Sequence, residues 1–125
     1  MGGSAIDPLT EQKCALIRAA VIGRQPIAAV YHSRRRLLCP HRLGWNNKGR
    51  PQVLCYQYGG ESESGLKRSG APENWRCLAV EKLLEIVLSE DAWRTAPNHT
   101  RPQTCIAQVD VDADDYPERD PQNGQ

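Results

Sequence analysis

The fold turns on one long stretch. It runs from Tyr31-His32-Ser33-Arg34-Arg35-Arg36 through Cys39-Pro40-His41-Arg42-Leu43-Gly44 and Asn46-Asn47-Lys48-Gly49 to Val53-Leu54-Cys55-Tyr56-Gln57-Tyr58-Gly59-Gly60. Asn and Gly tolerate the positive φ angles of tight hairpin turns, so residues 46–49 predict a hairpin. Residues 53–58, rich in β-branched and aromatic side chains, predict the strand that leaves it. Alternation sets Leu54, Tyr56 and Tyr58 on one face and Val53, Cys55 and Gln57 on the other. Residues 36–43, with Leu38 and Leu43, read as the partner strand. Pro40 has no amide hydrogen for a ladder, so that strand lies at an edge or is bulged there. Residues 33–35 turn the chain back to a strand over 25–32, with Ile27, Ala29 and Tyr31 on one face and Ala28, Val30 and His32 on the other.

Upstream, residues 1–9 form a flexible lead-in. Thr10 is a plausible N-cap, Glu11 suits the positive end of the helix dipole, and Gly23 stops the helix. Ala15, Leu16, Ala19, Ala20 and Ile22 recur at helical spacing, predicting an amphipathic helix packed on the sheet. Downstream, residues 59–74 contain no apolar run and read as a long loop of the kind that often carries function. Trp75, Cys77 and Ala79 alternate against Arg76, Leu78 and Val80 as in a half-buried strand. For residues 80–88 a helical stripe (Val80, Leu83, Leu84, Val87, Leu88) and a strand pattern (Leu84, Ile86, Leu88) both fit, and periodicity leaves them open.

A chain of 125 residues has room for one small core. No apolar run approaches the ~18 residues of a membrane span, and the first 15 residues lack signal-peptide order. A soluble, cytoplasmic protein is expected. Five cysteines without CxxC spacing, most of them among apolar neighbours, predict reduced buried thiols rather than disulfides. His32, Cys39, His41 and Cys55 can be assembled into a zinc site on paper, but their irregular spacing argues against it. The chain has no phosphate-binding Gly-Lys-Ser/Thr loop, no GxSxG and no HExxH. Nothing orients Ser62, Ser64 and His41 as nucleophile and base. Neither catalysis nor a cofactor is expected.

The net charge of +1 hides a division. Residues 12–60 hold nine Lys or Arg and no Asp or Glu, whereas residues 61–125 hold seven basic and thirteen acidic residues. Such a split predicts a basic surface for an anionic partner, against the plainer reading of a solvated face of arginines. Arg34, Arg35, Arg36 and Arg42 offer guanidinium forks suited to phosphate, and Tyr56, Tyr58 or Trp45 could stack on an unpaired base. Tyr31 and Trp75 read as core. His41 either holds the Pro40 turn or contacts ligand. The acidic end, with Asp110, Asp112, Asp114 and Asp115 among Ile106, Val109 and Val111, is a solubilising disordered tail or folds back over the basic surface and competes with the ligand.

Taken in order, the helix, the strand ending in Tyr31, Pro40-His41 before Gly44, the Lys48-Gly49 turn, Gln57 before Gly59-Gly60, Ser62, Ser64 and Gly65, and then Trp75-Arg76 resemble the WYL domain. Within it they resemble the small stand-alone bacterial proteins, over residues 15–93. The resemblance implies a mainly β fold, a small Sm-like, SH3-type β-barrel of about five strands with one N-terminal helix. It places that domain over residues 10–95, with a Pro-rich and acidic tail over 96–125. It sets a turn at Glu81-Lys82-Leu83, the last strand at 84–88 and an apolar close at Ala92-Trp93. It also implies a ligand-sensing module for nucleic acids or nucleotides, contributed to by His41, Gln57, Ser62, Ser64 and Arg76. Val53-Leu54-Cys55 stands where the family's Trp-Tyr-Leu triad lies, and Cys39 stands at a place often acidic.

The combined expectation is a non-enzymatic regulatory binding module. Arg34, Arg35, Arg36, His41, Arg42, Tyr56, Gln57, Ser62, Ser64 and Arg76 would contact single-stranded nucleic acid or a nucleotide-like anion. The alternative is a protein–protein interaction module or homo-oligomer that sets the same basic face against acidic protein surface. With no helix-turn-helix in this chain, a repressor role would need a second protein.

Overall fold

A computed structural model describes residues 7–61, 74–94 and 105–116. Its helix, α1, spans Pro8–Gly23 and is capped by Asp7 rather than Thr10. The Asp7 carboxylate accepts from the Thr10 amide at 2.7 Å, which holds its pKa below the usual value, and Pro8 sits at the start of the helix, where a missing N–H costs nothing. At the other end Arg24, not Gly23, takes the left-handed cap with φ 50°, and the Gln25 amide returns to the Ala20 carbonyl at 2.8 Å. A non-glycine there costs about 1–2 kcal/mol. The cost is offset by tertiary bonds from the Arg24 guanidinium to the carbonyls of Ala113 (3.1 Å) and Tyr116 (3.3 Å).

The rest is β structure: β1 (Ile27–Tyr31), β2 (Arg34–Trp45), β3 (Pro51–Gly60), β4 (Trp75–Ala79), a 3-10 turn at Val80–Lys82, β5 (Leu84–Leu88) and β6 (Gln108–Asp112), followed by a 3-10 turn at Ala113–Asp115. All pairings are antiparallel, in the order β4-β3-β2-β1-β5, with β6 also paired to β2. The fold is therefore mainly β, a six-stranded sheet with one helix. The 80–88 segment resolves as turn and strand. The β1–β2 turn is shorter than residues 33–35, because His32 and Ser33 both adopt positive φ (52° and 65°) and place Arg34 opposite Tyr31.

Of the two readings of Pro40, an edge or a bulge, the bulge is the one present, whereas the expected closed barrel is corrected. β2 is not an edge strand. It tolerates Pro40 because its ladder to β3 shifts register between Pro40 and Arg42, while on its other flank the partner changes from β1, opposite residues 34–38, to β6, opposite residues 42–45. Nor do the ladders close a barrel: β4 and β5 are the ends of the sheet and do not pair with each other among the described residues. Across that gap the Tyr31 hydroxyl accepts the Ala79 amide at 3.0 Å. Among the described residues no helix is long and apolar enough to cross a membrane.

The main core joins Ile17, Ala20 and Val21 of α1 to Ile27, Ala29 and Tyr31, Leu38 and Leu43, Val53 and Cys55, and Leu78, Val80 and Leu83. The buried stripe of α1 is thus rotated from the one read in sequence: Ala15, Ala19 and Ile22 are exposed. Residues 14–22 are apolar on more than one face, so spacing alone did not choose between them. Each fully buried Ile or Leu side chain contributes about 1.5–3 kcal/mol. On the other face of the sheet Cys39 and Tyr56 form a smaller cluster with Tyr58, Trp75 and Trp93.

Residues 105–116 belong to the folded unit: of the two readings of the acidic end, a disordered tail or a segment folded back on the basic part of the chain, they follow the second. β6 extends the sheet, and Ile106, Val111 and Ala113 are buried. Val109, Val111 and Ala113 alternate with Asp110, Asp112 and Asp114 as in a half-buried strand, which a charge count alone misses. Cys77 of β4 and Cys105 form a disulfide, so the expectation of five free thiols is corrected; Cys14, Cys39 and Cys55 remain free. The bridge joins residues 28 apart in sequence, a pairing that spacing could not reveal. Unreduced protein unfolded in denaturant should expose three titratable thiols rather than five, and replacing Cys77 and Cys105 together by alanine should lower stability by roughly 3–4 kcal/mol. Five thiols in the unreduced protein would overturn the bridge.

Close approach of β6 depends on Gly44. A Cβ there would meet the Gln108 carbonyl oxygen and lie 2.7 Å from Ile106 Cγ2, whereas one at Gly23 would meet nothing within 4 Å. Gly44→Ala should destabilise by about 2 kcal/mol or more, because the obstacle is largely backbone. Gly23→Ala should instead stabilise by about 0.5 kcal/mol. Denaturant midpoints of the two variants check the opposite signs.

Candidate binding site

The residues expected to form a basic binding face are not gathered on one surface. Arg36 is only 2% exposed; it donates to the Tyr31 carbonyl (3.2 Å) and Gln57 Oε1 (3.4 Å) and lies 5.3 Å from the Tyr31 ring centroid. Gln57, fully buried, donates to the carbonyls of Gly59 (3.0 Å) and Glu61 (2.7 Å). These two side chains hold the end of β3 against β2. Arg35 is exposed and 3.6 Å from Glu85, and Arg34 is partly exposed beside it. Arg76 donates to its neighbour's carbonyl at Trp75 (3.3 Å). Ser62 and Ser64 lie outside the described residues.

His41 and Tyr56 belong to the smaller aromatic cluster. His41 is buried, with Nδ1 2.8 Å from the Cys39 carbonyl and its ring 4.7 Å from Trp75 and 4.5 Å from Trp93. Tyr56 meets Trp75 edge-on at 5.2 Å. Tyr56 Oη and Trp93 Nε1 have no hydrogen-bond partner among the described residues, so ring packing carries this cluster. Tyr58 at its edge donates to Asp91 at 2.7 Å; burial pushes the Tyr58 phenol up to about 12, and the hydrogen bonds from Tyr58 and Ser89 lower the Asp91 pKa. Burial also pushes the Cys39 thiol to about 11 and the Cys55 thiol well above its usual value.

The charge division seen in sequence is largely answered inside the molecule. Arg18 meets Asp110 (2.8 Å), Arg24 meets Asp114 (4.0 Å), Arg42 meets Asp112 (2.7 Å), Arg50 meets Glu81 (3.0 Å) and Arg35 meets Glu85. Every one of these pairs joins a base from residues 12–60 to an acid beyond residue 61. The Arg42–Asp112 pair is the least exposed and lies directly across the β2–β6 ladder.

What the fold does assemble is a cleft of about 410 Å³ between α1 and the corner where β6 meets β2. Glu11, Cys14, Ala15 and Arg18 stand one above another on α1 and form one wall. Leu43, Gly44, Trp45 and Pro51 form the floor, and Asp110 of β6 closes the far side. Arg18 grips both Asp110 carboxylate oxygens with Nη2 at 2.8 Å and one with Nε at 3.1 Å. Burial, then the nearby Asp110 carboxylate, raise the Cys14 pKa, so the thiol stays protonated near neutral pH. Of the cleft residues only Trp45 was among those expected to contact a ligand, as a stacking surface for a base. The spacing of Glu11, Cys14, Ala15 and Arg18 on one helical stripe was visible, but β6, which converts that stripe into a wall, was not.

No protein-family model matches the chain, and no match is found among curated proteins or solved structures.

Proposed function

We propose that this protein is a non-enzymatic binding module that takes a small, largely apolar ligand in the α1–β2–β6 cleft. The cleft carries the reading: its volume falls within the ~300–1,000 Å³ of small-molecule sites, and mainly apolar walls meet a few polar groups there. The strand order β4-β3-β2-β1-β5, with a short 3-10 turn between β4 and β5, supports an open relative of the small SH3-type barrel. The histidine and the two thiols on the middle strands are withdrawn from acid–base and nucleophilic chemistry. His41 is packed between two indoles, and the buried thiols are held protonated. A ligand in the cleft touches both α1 and β6, so occupancy is reported to the C-terminal strand. The Cys77–Cys105 bridge supports an oxidising milieu rather than the reducing cytoplasm.

The test is a fragment titration of the full chain by amide and indole NMR shifts, using neutral bicyclic aromatics. Shifts should concentrate at residues 11–18 and 43–45, the fragments should slow alkylation of Cys14, and Ala15→Phe, which fills the cleft, should abolish both effects. Shifts elsewhere that survive Ala15→Phe would overturn the cleft reading.

A second reading keeps the anionic ligand. Asp110, Asp112 and Asp114 recur every second residue and pair with Arg18, Arg42 and Arg24, as if the strand stood in for a polyanion. In this reading nucleic acid competes with β6 for the arginines. A variant with all three aspartates changed to asparagine should bind labelled single-stranded DNA at least about ten-fold more tightly than wild type at low salt, with the gain falling as salt rises. A control with Glu61 and Glu90 changed to glutamine and Asp115 to asparagine carries the same charge and leaves the Arg50–Glu81 pair in place. An equal gain in that control would reduce the effect to net charge and sink the reading.

A further inference from the structure

The cleft reading leaves open which chemistry the ligand brings, and the balance of charge on its walls answers this. Three charged side chains line it, the acids Glu11 and Asp110 and the base Arg18. Arg18 and Asp110 are committed to each other through three hydrogen bonds, two of them at 2.8 Å. Their charges cancel at close range. Glu11 is different. Among the described residues its carboxylate has neither a hydrogen bond nor an ion pair, and it stands on the same stripe of α1 one turn from Cys14 and Ala15. The cleft therefore presents one uncommitted negative charge. Trp45 lines the floor beside Leu43 and Pro51, and it has no aromatic or cation partner among the described residues. An indole attracts a cation to its face more strongly than any other side-chain ring.

Resting on the cleft reading, we infer that the ligand is an organic cation, an amine, amidine or guanidine borne on a ring or short apolar body. The charged group pairs with Glu11, and the apolar body lies against Trp45, Leu43 and Pro51. A bare divalent ion does not suit the site, because such ions take about six oxygen ligands and the cleft offers one free carboxylate. An anionic ligand would meet Glu11 with its own sign and find the Nε and Nη2 groups of Arg18 already held by Asp110, whose charge offsets that of the guanidinium. The preference for a cation is moderate, because Glu11 is exposed and solvent screens the pairing.

Three probes with one ring test this: tryptamine, neutral 3-methylindole and indole-3-acetate, each titrated into the full, disulfide-intact chain and followed by NMR shifts of cleft residues. Tryptamine should bind about five-fold more tightly than 3-methylindole, and indole-3-acetate more weakly than either. In Glu11→Gln the advantage of tryptamine should vanish, while 3-methylindole binds as before, which shows the cleft intact. Equal affinities for all three probes, still mapped to the cleft, would overturn the cation inference and leave the cleft reading standing. If no probe perturbs the cleft residues, the cleft reading fails and this inference falls with it.

Discussion

Pro40 lacks an amide hydrogen, yet the strand that contains it is paired on both flanks. The rest of the architecture follows from how that conflict is resolved. A continuous ladder on both sides is unavailable, so β2 breaks register against β3 between Pro40 and Arg42 and changes partner on its other side. Its first half belongs to the β1 hairpin and its second half to β6. One twelve-residue strand thereby ties the beginning, middle and end of the chain into one sheet. His41, at the shift, is turned into the smaller aromatic cluster, where its ring packs against Trp75 and Trp93.

The second organising term is electrostatic. A stretch of 49 residues with nine bases and no acid would repel itself as it compacts, and the acids needed to relieve this come from later in the chain. β6 and the 3-10 turn after it bring three of them, to Arg18, Arg24 and Arg42. Exposed pairs such as Arg50–Glu81 contribute little to stability, but Arg42–Asp112 is mostly shielded, and removing either partner would leave the other half-buried charge unpaired. Together with the ladder to β2, the buried Val111 and Ala113, and the Cys77–Cys105 bridge, these pairs make the acidic end part of the fold.

The cleft is a product of the same arrangement. α1 supplies a stripe, β2 and the start of β3 a floor, and β6 the closing side, so the cleft exists only when α1 and β6 are both docked on β2. Gly44 permits the docking, since any side chain there would occupy the path of Ile106 and Gln108. A ligand in the cleft, as proposed, would touch α1 and β6 together, so its binding and the seating of β6 would be coupled through shared walls.

Much of this was legible from local patterns. The Asn46–Gly49 turn, the alternation of Val53 and Cys55 against Leu54 and Tyr56, and the break at Pro40 depend on φ, ψ preferences and side-chain period, which neighbours in sequence determine; the strand at Leu84–Leu88 was left open by periodicity and was set only by the family resemblance. The meaning of the arginines did not follow from such patterns. Arg36 reads as a phosphate contact but is a buried brace for Gln57 and Tyr31, because its register on β2 points it inward. Arg42 reads as a free charge but is matched by Asp112, seventy positions away. By itself the sequence determined a mainly β chain with one helix and where its turns fall, since those are short-range properties. Only the tertiary structure decided which charges are spent inside the molecule, which cysteines meet and where a cleft opens, since each depends on residues far apart in the chain arriving at the same place.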